Sequence, residues 1–327
     1  MLSYIETNVL KEGGNIWVIN YIMKMKIMIQ TVSFLMKEYD DAEPGVAPVK
    51  LSSGRKRVDL GDKLPEIGKK REVRRMLKPP IARMGGKSKL RKTIIEMLPE
   101  HTCYVELFMG AGWVYFGKEP SKVEVVNDID RELINMFKML KYHAPEVERL
   151  LQYEFSGRDL FEEYKHATLE QLTEIHRAIR FLYVISQSFA SKGDSYGYAP
   201  TGKPSGNIYY TELLHQVRER LRNTYVENLP FETIIDKYDR SGTVFFADPP
   251  YYRTTGYKGH TFKKEDHFLL RDKLANIQGK FLLTVNDCPE IREWYRGFHV
   301  REVEVPYSIC RDADKRRGFG ELIITNY

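Results

Sequence analysis

The chain has 327 residues, enough to bury a full core and to form about two domains. Hydrophobic residues make up 42%, as in ordinary globular proteins, and the three cysteines lack the spacing of a disulfide framework. The formal net charge is +6, but 16 Lys and Arg against four Asp and Glu fall between Lys50 and Lys92. This basic segment indicates a polyanionic partner such as nucleic acid, and a solvated linker is the alternative.

The N-terminal part of the chain is apolar without the pattern of a membrane span. Lys24 and Lys26 interrupt the stretch 15–36, and a Lys at the centre of a membrane helix costs roughly 3 kcal/mol. The stretch also lacks the small-residue cleavage site of a signal peptide. We therefore expect no membrane association, and the three cysteines fit the reduced thiols of a cytoplasmic protein better than a disulfide framework. Residues 38–68 are rich in Pro, Gly, Ser and charge, so we assign 1–78 to an N-terminal extension and basic linker.

From Pro79 onward, strand-like and helix-like patterns alternate. Strands are predicted at 102–107 and 123–127, with helices starting at Trp113 and covering 131–140. A strand, a Gly-rich turn, a helix and a strand that ends in an acid form the layout of an α/β nucleotide-binding half. Further helices are predicted at 169–186 and 211–222, and further strands at 243–247, 280–285, 299–305 and 321–326.

This order predicts an α/β fold in which helices interrupt one sheet domain. We place the first part of that domain at 79–149, a helical insertion at 150–223 and the second part at 224–327. The last two strands are predicted to form an antiparallel hairpin at the edge of the sheet.

The most informative motif is Asp248-Pro249-Pro250-Tyr251, which follows a short apolar run typical of a buried strand. It combines a carboxylate, a backbone carbonyl, a turn fixed by proline φ angles and a flat ring in one rigid place. Such a set suits a planar amine that must be hydrogen-bonded and stacked. For the motif by itself, an ordinary Pro-rich turn is the alternative.

A second motif follows the first predicted strand, which ends near Glu106. Phe108, Gly110 and Gly112 lie in a turn where glycines let the backbone approach a ligand closely. A dinucleotide fingerprint would need a Gly at Tyr115, which disfavours a nicotinamide cofactor.

Two further positions extend this ligand site. Asp128 lies 18 residues after Gly110 at the end of the next strand, where an acid can accept ribose hydroxyls, although a helix N-cap is the alternative. The segment Gly85-Gly86-Lys87 is not a Walker A loop, because that loop needs a Gly where this chain has Ile81. We interpret it as a turn beside a bound ligand, and a turn before a basic helix is the alternative.

A long loop between the helices of the insertion is dense in Gly, Ser and Tyr. Its Lys192, Ser195, Tyr196 and Tyr198 suit phosphate contact and base stacking, with an ordinary surface loop as the alternative. The eight histidines are scattered without metal-ligand spacing. The segment 193–197 matches G-x-S-x-G in letters, but it lies in a loop between predicted helices, whereas a nucleophile elbow joins a strand to a helix. We therefore predict no metal site and no hydrolase chemistry.

Taken together and in this order, the motifs over 79–327 resemble the Dam-like, alpha-group adenine-N6 DNA methyltransferases. The closing segment 321–327 is similar to the last strand of that family. The resemblance implies a Rossmann-like methyltransferase sheet, an S-adenosylmethionine cofactor and an enzyme that methylates the N6 amine of adenine in double-stranded DNA. Methylation of cytosine N4, RNA adenine or protein glutamine, and a non-catalytic DNA-binding protein on the same fold, are the alternatives.

The resemblance also implies roles for individual residues. The active site would comprise Asp248, Pro249, Pro250 and Tyr251, with the target base flipped out of the duplex and stacked on Tyr251. The insertion would recognise DNA. The cofactor would be bound by Met84, Gly85, Gly86, Lys87, Glu106, Phe108, Gly110, Gly112, Asp128, Phe231 and Asp248.

The chain departs from the family pattern at two places. Met84 stands where the family usually has an aromatic residue. Pro230-Phe231 stands where the family often has an Asp-Phe pair that contacts the cofactor adenine, so Phe231 can stack but the acid is missing. The resemblance leaves open a cognate restriction endonuclease as a partner, and it implies a monomer or a weak dimer.

Overall fold

The computed structural model describes residues 76–83, 85–197, 211–254, 262–305 and 319–327. These residues belong to one compact unit, Arg71–Tyr327. Met84, Tyr198 and most of the basic segment lie outside the described residues, so the predictions made for them stay predictions. Among the helices that the structure describes, none combines the length and the apolar character needed to cross a membrane.

Within the described residues the chain forms helices and strands in an alternating order. The strands are β1 (Cys103–Glu106), β2 (Val123–Asn127), β3 (Thr224–Glu227), β4 (Thr243–Ala247), β5 (Lys280–Asn286), β6 (His299–Val305) and β7 (Phe319–Thr325). The α-helices are α1 (Arg91–Met97), α2 (Trp113–Gly117), α3 (Arg131–Leu151), α4 (Arg158–His166), α5 (Glu174–Gln187), α6 (Thr211–Leu221), α7 (Phe231–Tyr238), α8 (Lys264–Ala275) and α9 (Pro289–Trp294).

The strands form one seven-stranded sheet in the order β3-β2-β1-β4-β5-β7-β6. Strands β1 to β5 run parallel, and β7 runs antiparallel between β5 and β6. The strand order reverses between β1 and β4, so this mixed α/β sheet has a topological switch point, where ligands bind at the carboxyl ends of the strands. The predicted Rossmann-like α/β fold is confirmed.

The central strands are continuous apolar runs because both of their faces are covered. Val105, Phe245 and Phe281 pack on one face against Ile234 of α7 and Leu270 of α8. The alternate residues Tyr104, Val244 and Leu282 point to the opposite face and are also fully buried. This pattern is typical of parallel strands, whereas one exposed face would give an alternation of apolar and polar residues.

Several elements differ from the predictions, and helices α4, α7, α8 and α9 were not predicted. Helix α3 continues past 140 to Leu151, because non-helical angles at His143 accommodate Pro145 inside the helix. The four-residue strand β3, which pairs in parallel with β2, was not predicted. The predicted hairpin of the last two strands is present, but β7 lies inside the sheet between β5 and β6, so of these two strands β6 is the one at the edge.

Candidate active site

A cleft of about 460 Å³ lies at the switch point of the sheet, within the roughly 300–1,000 Å³ typical of ligand sites. We call it the switch-point cleft. The sequence-predicted residues that line it are Gly85, Gly86, Lys87, Glu106, Phe108, Gly110, Gly112, Asp128, Phe231, Asp248 and Pro250. Motifs that are more than 150 residues apart in the chain therefore meet at one site.

The remaining predicted residues lie elsewhere. Pro249 is buried and Tyr251 is half-buried, both directly beside Pro250 but outside the lining. Lys192, Ser195 and Tyr196 belong to the loop after α5 and do not line the cleft. Sequence reasoning missed several lining residues, namely Arg83, Trp113, Asp130, Glu232, Phe262 and Asp266.

One end of the cleft carries a buried ion cluster of Lys87, Asp248 and Glu321. The ammonium Nζ of Lys87 lies 2.6 Å from Oδ1 of Asp248 and 3.2 Å from Oε1 of Glu321, and the Lys87 side chain is only 6% exposed. The hydroxyl of Thr284 also donates to Oδ1 of Asp248, at 2.9 Å. The Tyr251 hydroxyl donates to Glu321, and its ring centroid lies 4.9 Å from the ammonium. The Asp-Pro-Pro-Tyr segment is thus fixed at both of its ends.

The ion cluster sets the ionisation of its members. Burial raises the pKa of the Asp248 carboxyl, and the adjacent Lys87 ammonium opposes that rise. Burial by itself would lower the pKa of Lys87, but the carboxylates of Asp248 and Glu321 bring it above its ordinary value. Lys87 therefore stays charged, and its charge favours the ionised form of Asp248.

Sheet topology explains why these three charges meet. Asp248 follows the carboxyl end of β4, next to the end of β1. Strand β7 runs antiparallel to β5 and pairs Glu321 with Asn286 at the end of β5. An antiparallel strand therefore brings its first half, with Glu321, to the edge where the parallel strands finish.

Glu106 ends β1 and lines the cleft as a buried carboxyl. It is 2% exposed, and the hydroxyl of Tyr104 donates to its Oε2 at 2.7 Å. Burial raises the pKa of Glu106 to about 8, while the Tyr104 hydrogen bond acts in the opposite direction.

The turn after β1 and the end of β2 form the middle of the cleft. Gly110 and Gly112 have φ angles of +49° and +79°, in the left-handed region that favours glycine. The backbone N–H of Gly110 donates to Oδ2 of Asp128 at 2.8 Å, and that of Asp130 donates to Oδ1 at 3.0 Å. Asp130 is the N-cap of α3, so Asp128 does not have the capping role that sequence analysis left open.

Three of the residues that line the cleft form an aromatic wall. The rings of Phe108, Phe231 and Phe262 form a triangle with centroid distances of 5.5, 5.6 and 5.8 Å. Glu232 and Asp266 also line the cleft and supply carboxyl groups that sequence analysis did not single out. The cleft therefore combines a charged end with an aromatic wall that suits a flat heterocycle.

The loop after α5 is compact. Ser188 and Tyr196 form an antiparallel bridge, and the N–H of Phe189 donates to the Ser195 carbonyl at 2.8 Å. The Tyr196 ring packs edge-on against Phe161, with the Arg158 guanidinium 5.3 Å away. Tyr196 is thus half-buried, whereas Lys192 and Ser195 are exposed.

The comparison with known families decides between the alternatives left open by the sequence. Residues 84–309 match the family model of the D12 class N6 adenine-specific DNA methyltransferases. The chain belongs to this family. It is therefore a methyltransferase of the adenine-specific DNA class, and the predicted enzyme activity is confirmed.

Individual relatives agree with this family. A type II methyltransferase of Lactococcus lactis subsp. cremoris is 28% identical over 279 residues, which cover 77% of this chain and 96% of that protein. The DNA adenine methylase of Escherichia coli strain K12 is 23% identical, over 73% of this chain and 91% of that one. Among solved structures, an rRNA methylase from Streptococcus thermophilus aligns with a TM-score of 0.30 at 12% identity, covering 72% of this chain and 93% of that chain.

The two glycines of this methyltransferase's turn differ in what a side chain would meet. A Cβ at Gly112 would lie 2.9 Å from Met109 and 3.0 Å from Phe116, whereas a Cβ at Gly110 would meet nothing within 4 Å. We expect Gly110→Ala to lower the free energy of unfolding by about 1 kcal/mol from backbone strain. Gly112→Ala should lower it by about 3 kcal/mol, because overpacking adds to the strain.

Urea unfolding of the two variants beside the wild type measures both values, and Gly110→Ala serves as the matched control for the left-handed backbone. Equal losses in the two variants would contradict the packing argument.

Proposed function

We propose that the switch-point cleft binds S-adenosylmethionine and that the enzyme transfers its methyl group to the N6 amine of an adenine extruded from double-stranded DNA. Bound there, the cofactor supplies a methyl group activated by a sulfonium. The observation that carries the proposal is the buried ion cluster around Asp248 at the carboxyl ends of β1 and β4.

The lining residues fit such a cofactor. Asp128 uses its two oxygens for one backbone N–H each, which leaves acceptor capacity for two ribose hydroxyls. The Phe108, Phe231 and Phe262 wall suits the adenine ring. At Gly110 the space beside the backbone is open, so a ligand can approach the main chain.

Asp248 and the carbonyl of Pro249 would accept the two hydrogens of the target amine. The adenine amine is a weak nucleophile because its lone pair is delocalised into the ring. Hydrogen bonds that favour a pyramidal nitrogen restore the lone pair and stabilise the positive charge that develops on it. Two carboxylates against one ammonium give the ion cluster a net negative charge, which acts in the same direction. In-line placement of the amine nitrogen and the methyl group supplies the remaining rate acceleration through proximity.

The target adenine would reach Asp248 only after it has left the base stack of the DNA duplex. Tyr251 would stack on the flipped base, and the hydrogen bond of its hydroxyl to Glu321 would hold the ring in position.

Nucleoside mass spectrometry tests the proposed reaction. We expect N6-methyladenine when the wild type is incubated with unmethylated DNA and S-adenosylmethionine. Asp248→Ala should reduce the product at least about 100-fold, because the main acceptor of the amine is lost. Cofactor binding should stay measurable by calorimetry, because Lys87 keeps Glu321 as its partner.

Asp272→Ala is the matched control, since Asp272 is exposed and pairs with its neighbour Arg271 at the surface. Near-normal turnover of Asp248→Ala would contradict the catalytic role assigned to Asp248. N4-methylcytosine in place of N6-methyladenine would keep the mechanism and change the substrate.

Lys87→Met tests the electrostatic role of the ion cluster. Asp248 acts as a carboxylate, so activity falls as the pH drops through its pKa. The Lys87 ammonium lowers that pKa, so its loss raises the pKa and moves the acid limb of the activity profile to higher pH. An opposite charge at this distance is typically worth about one to three pH units.

The pH dependence of kcat measures the shift, with Lys92→Met as the control because the Lys92 side chain is 75% exposed. An unchanged acid limb in Lys87→Met would contradict the role assigned to the ion pair.

We further propose that residues 150–223 form the DNA-recognition part and that the loop after α5 contacts DNA. Ala190 and Ser191 have positive φ angles, and Phe189 beside them is 61% exposed. Strain in a tight loop that presents an aromatic ring to solvent suits stacking on a nucleobase. Lys192 and Ser195 are exposed next to it and suit phosphate contact.

Phe189→Ala should weaken DNA binding by about 5- to 150-fold, because a base–aromatic stack contributes about 1–3 kcal/mol. Fluorescence anisotropy with a labelled duplex at fixed salt measures the affinity. Tyr225→Ala is the matched control, because Tyr225 is an exposed aromatic residue on β3, outside this loop. Equal affinities of the two variants would show that Phe189 does not contact DNA.

A further inference from the structure

We infer that Tyr104 is a positioning residue for the cofactor site, because its hydroxyl fixes the Glu106 carboxylate that faces the cationic part of the bound cofactor. The inference rests on the proposed function and extends it to a residue that does not line the cleft.

The side chains of Tyr104 and Glu106 are in direct contact. Tyr104 and Glu106 are two residues apart on β1, so they lie on the same face of the sheet. Tyr104 is fully buried, and its hydroxyl donates to Oε2 of Glu106 at 2.7 Å. Burial raises the pKa of Tyr104 well above its ordinary value, so its hydroxyl keeps the proton that it donates.

The Tyr104 ring is held in place by a second buried pair. Lys118 lies 4.4 Å from the ring centroid and binds Glu124 on β2 at 2.6 Å. Arg220 at the end of α6 donates to the same carboxylate at 2.8 Å. The ring therefore packs beneath fixed charges, and the hydroxyl is oriented toward Glu106 before any ligand arrives.

The Glu106 carboxyl group attracts a cation only when it is ionised. S-adenosylmethionine is positively charged at its sulfonium and its amino group, and an ionised Glu106 attracts that charge. The groups that act on Glu106 are Tyr104 on β1, Asp248 after β4 and Lys118 after α2, together with the N–H of Tyr115. Burial and Asp248 raise the pKa of Glu106, and the other three lower it. Removal of the Tyr104 hydroxyl therefore raises this pKa further and makes the charged form scarcer at neutral pH.

Calorimetric titration of S-adenosylmethionine into the full chain between pH 6 and 9 tests the inference. We expect the affinity of the wild type to rise with pH as Glu106 ionises, up to the pH at which the α-amino group of the cofactor, with an ordinary pKa of roughly 8, loses its proton. Tyr104→Phe should bind about tenfold more weakly at neutral pH, and its profile should lie about one pH unit higher. Tyr115→Phe is the matched control, since it loses a buried hydroxyl that bonds to the Arg220 carbonyl and Thr224 but leaves the Glu106 carboxylate in place.

A double-mutant cycle with Glu106→Gln separates positioning from general loss of structure. Because Gln does not titrate, the part of the pH dependence that comes from Glu106 should be lost in Glu106→Gln, and Tyr104→Phe should then have no further effect. The part that comes from the α-amino group of the cofactor, with an ordinary pKa of roughly 8, is common to all variants. The Glu106→Gln variant tests the inference even if Tyr104→Phe is too unstable to titrate. A pH profile of Glu106→Gln equal to that of the wild type would overturn the inference. A Tyr104→Phe profile equal to that of the wild type, or a shift of equal size in Tyr115→Phe, would also overturn it. A wild type that binds no S-adenosylmethionine would overturn the proposed function and this inference with it.

Discussion

The contact of the Lys87 ammonium with the Asp248 and Glu321 carboxylates is the interaction on which the site depends. Each of these charges is largely removed from water, and an unpaired buried ion costs roughly several kcal/mol. The three residues come from the Gly-Gly turn, the end of β4 and the start of β7. The full set of contacts therefore requires a sheet that is complete through its antiparallel strand.

Charged and aromatic side chains form separate parts of the cleft lining, and the two parts suit different groups of a ligand. The ion cluster and Glu106 form an end with more carboxylates than cations, whereas Phe108, Phe231 and Phe262 form an aromatic wall. The proposed methyl transfer would move positive charge from a sulfonium to an amine, and both forms would be stabilised beside excess carboxylate. The aromatic wall can bind a heterocycle without taking part in that movement of charge.

Sequence reasoning recovered the parts of the site that local pattern determines. The carboxyl ends of β1, β2 and β4 follow apolar runs, so the Gly-rich turn, Asp128 and Asp248 could be placed at one edge of the sheet. Glu321 could not be assigned as a partner of Lys87, because that contact depends on the register of β7 against β5. Tyr104 was missed for a related reason, since a Tyr inside a buried strand has no local feature that separates packing from hydrogen bonding.

The missing acid before Phe231 shows which features of a site a sequence motif determines and which it does not. Pro230 leaves that position without a carboxyl, yet Phe231 still lines the cleft and packs on Phe108. Glu232 and Asp266 contribute carboxyl groups to the same cleft from the first turns of α7 and α8. A motif specifies which segment of backbone borders a ligand, whereas the functional group at a given point can come from any element that reaches the cleft. The change at Pro230 is thus compatible with the family chemistry, because two hydrogen bonds between the Asn127 side chain and the Leu229 backbone, together with the ring packing of Phe231, hold that segment without the acid.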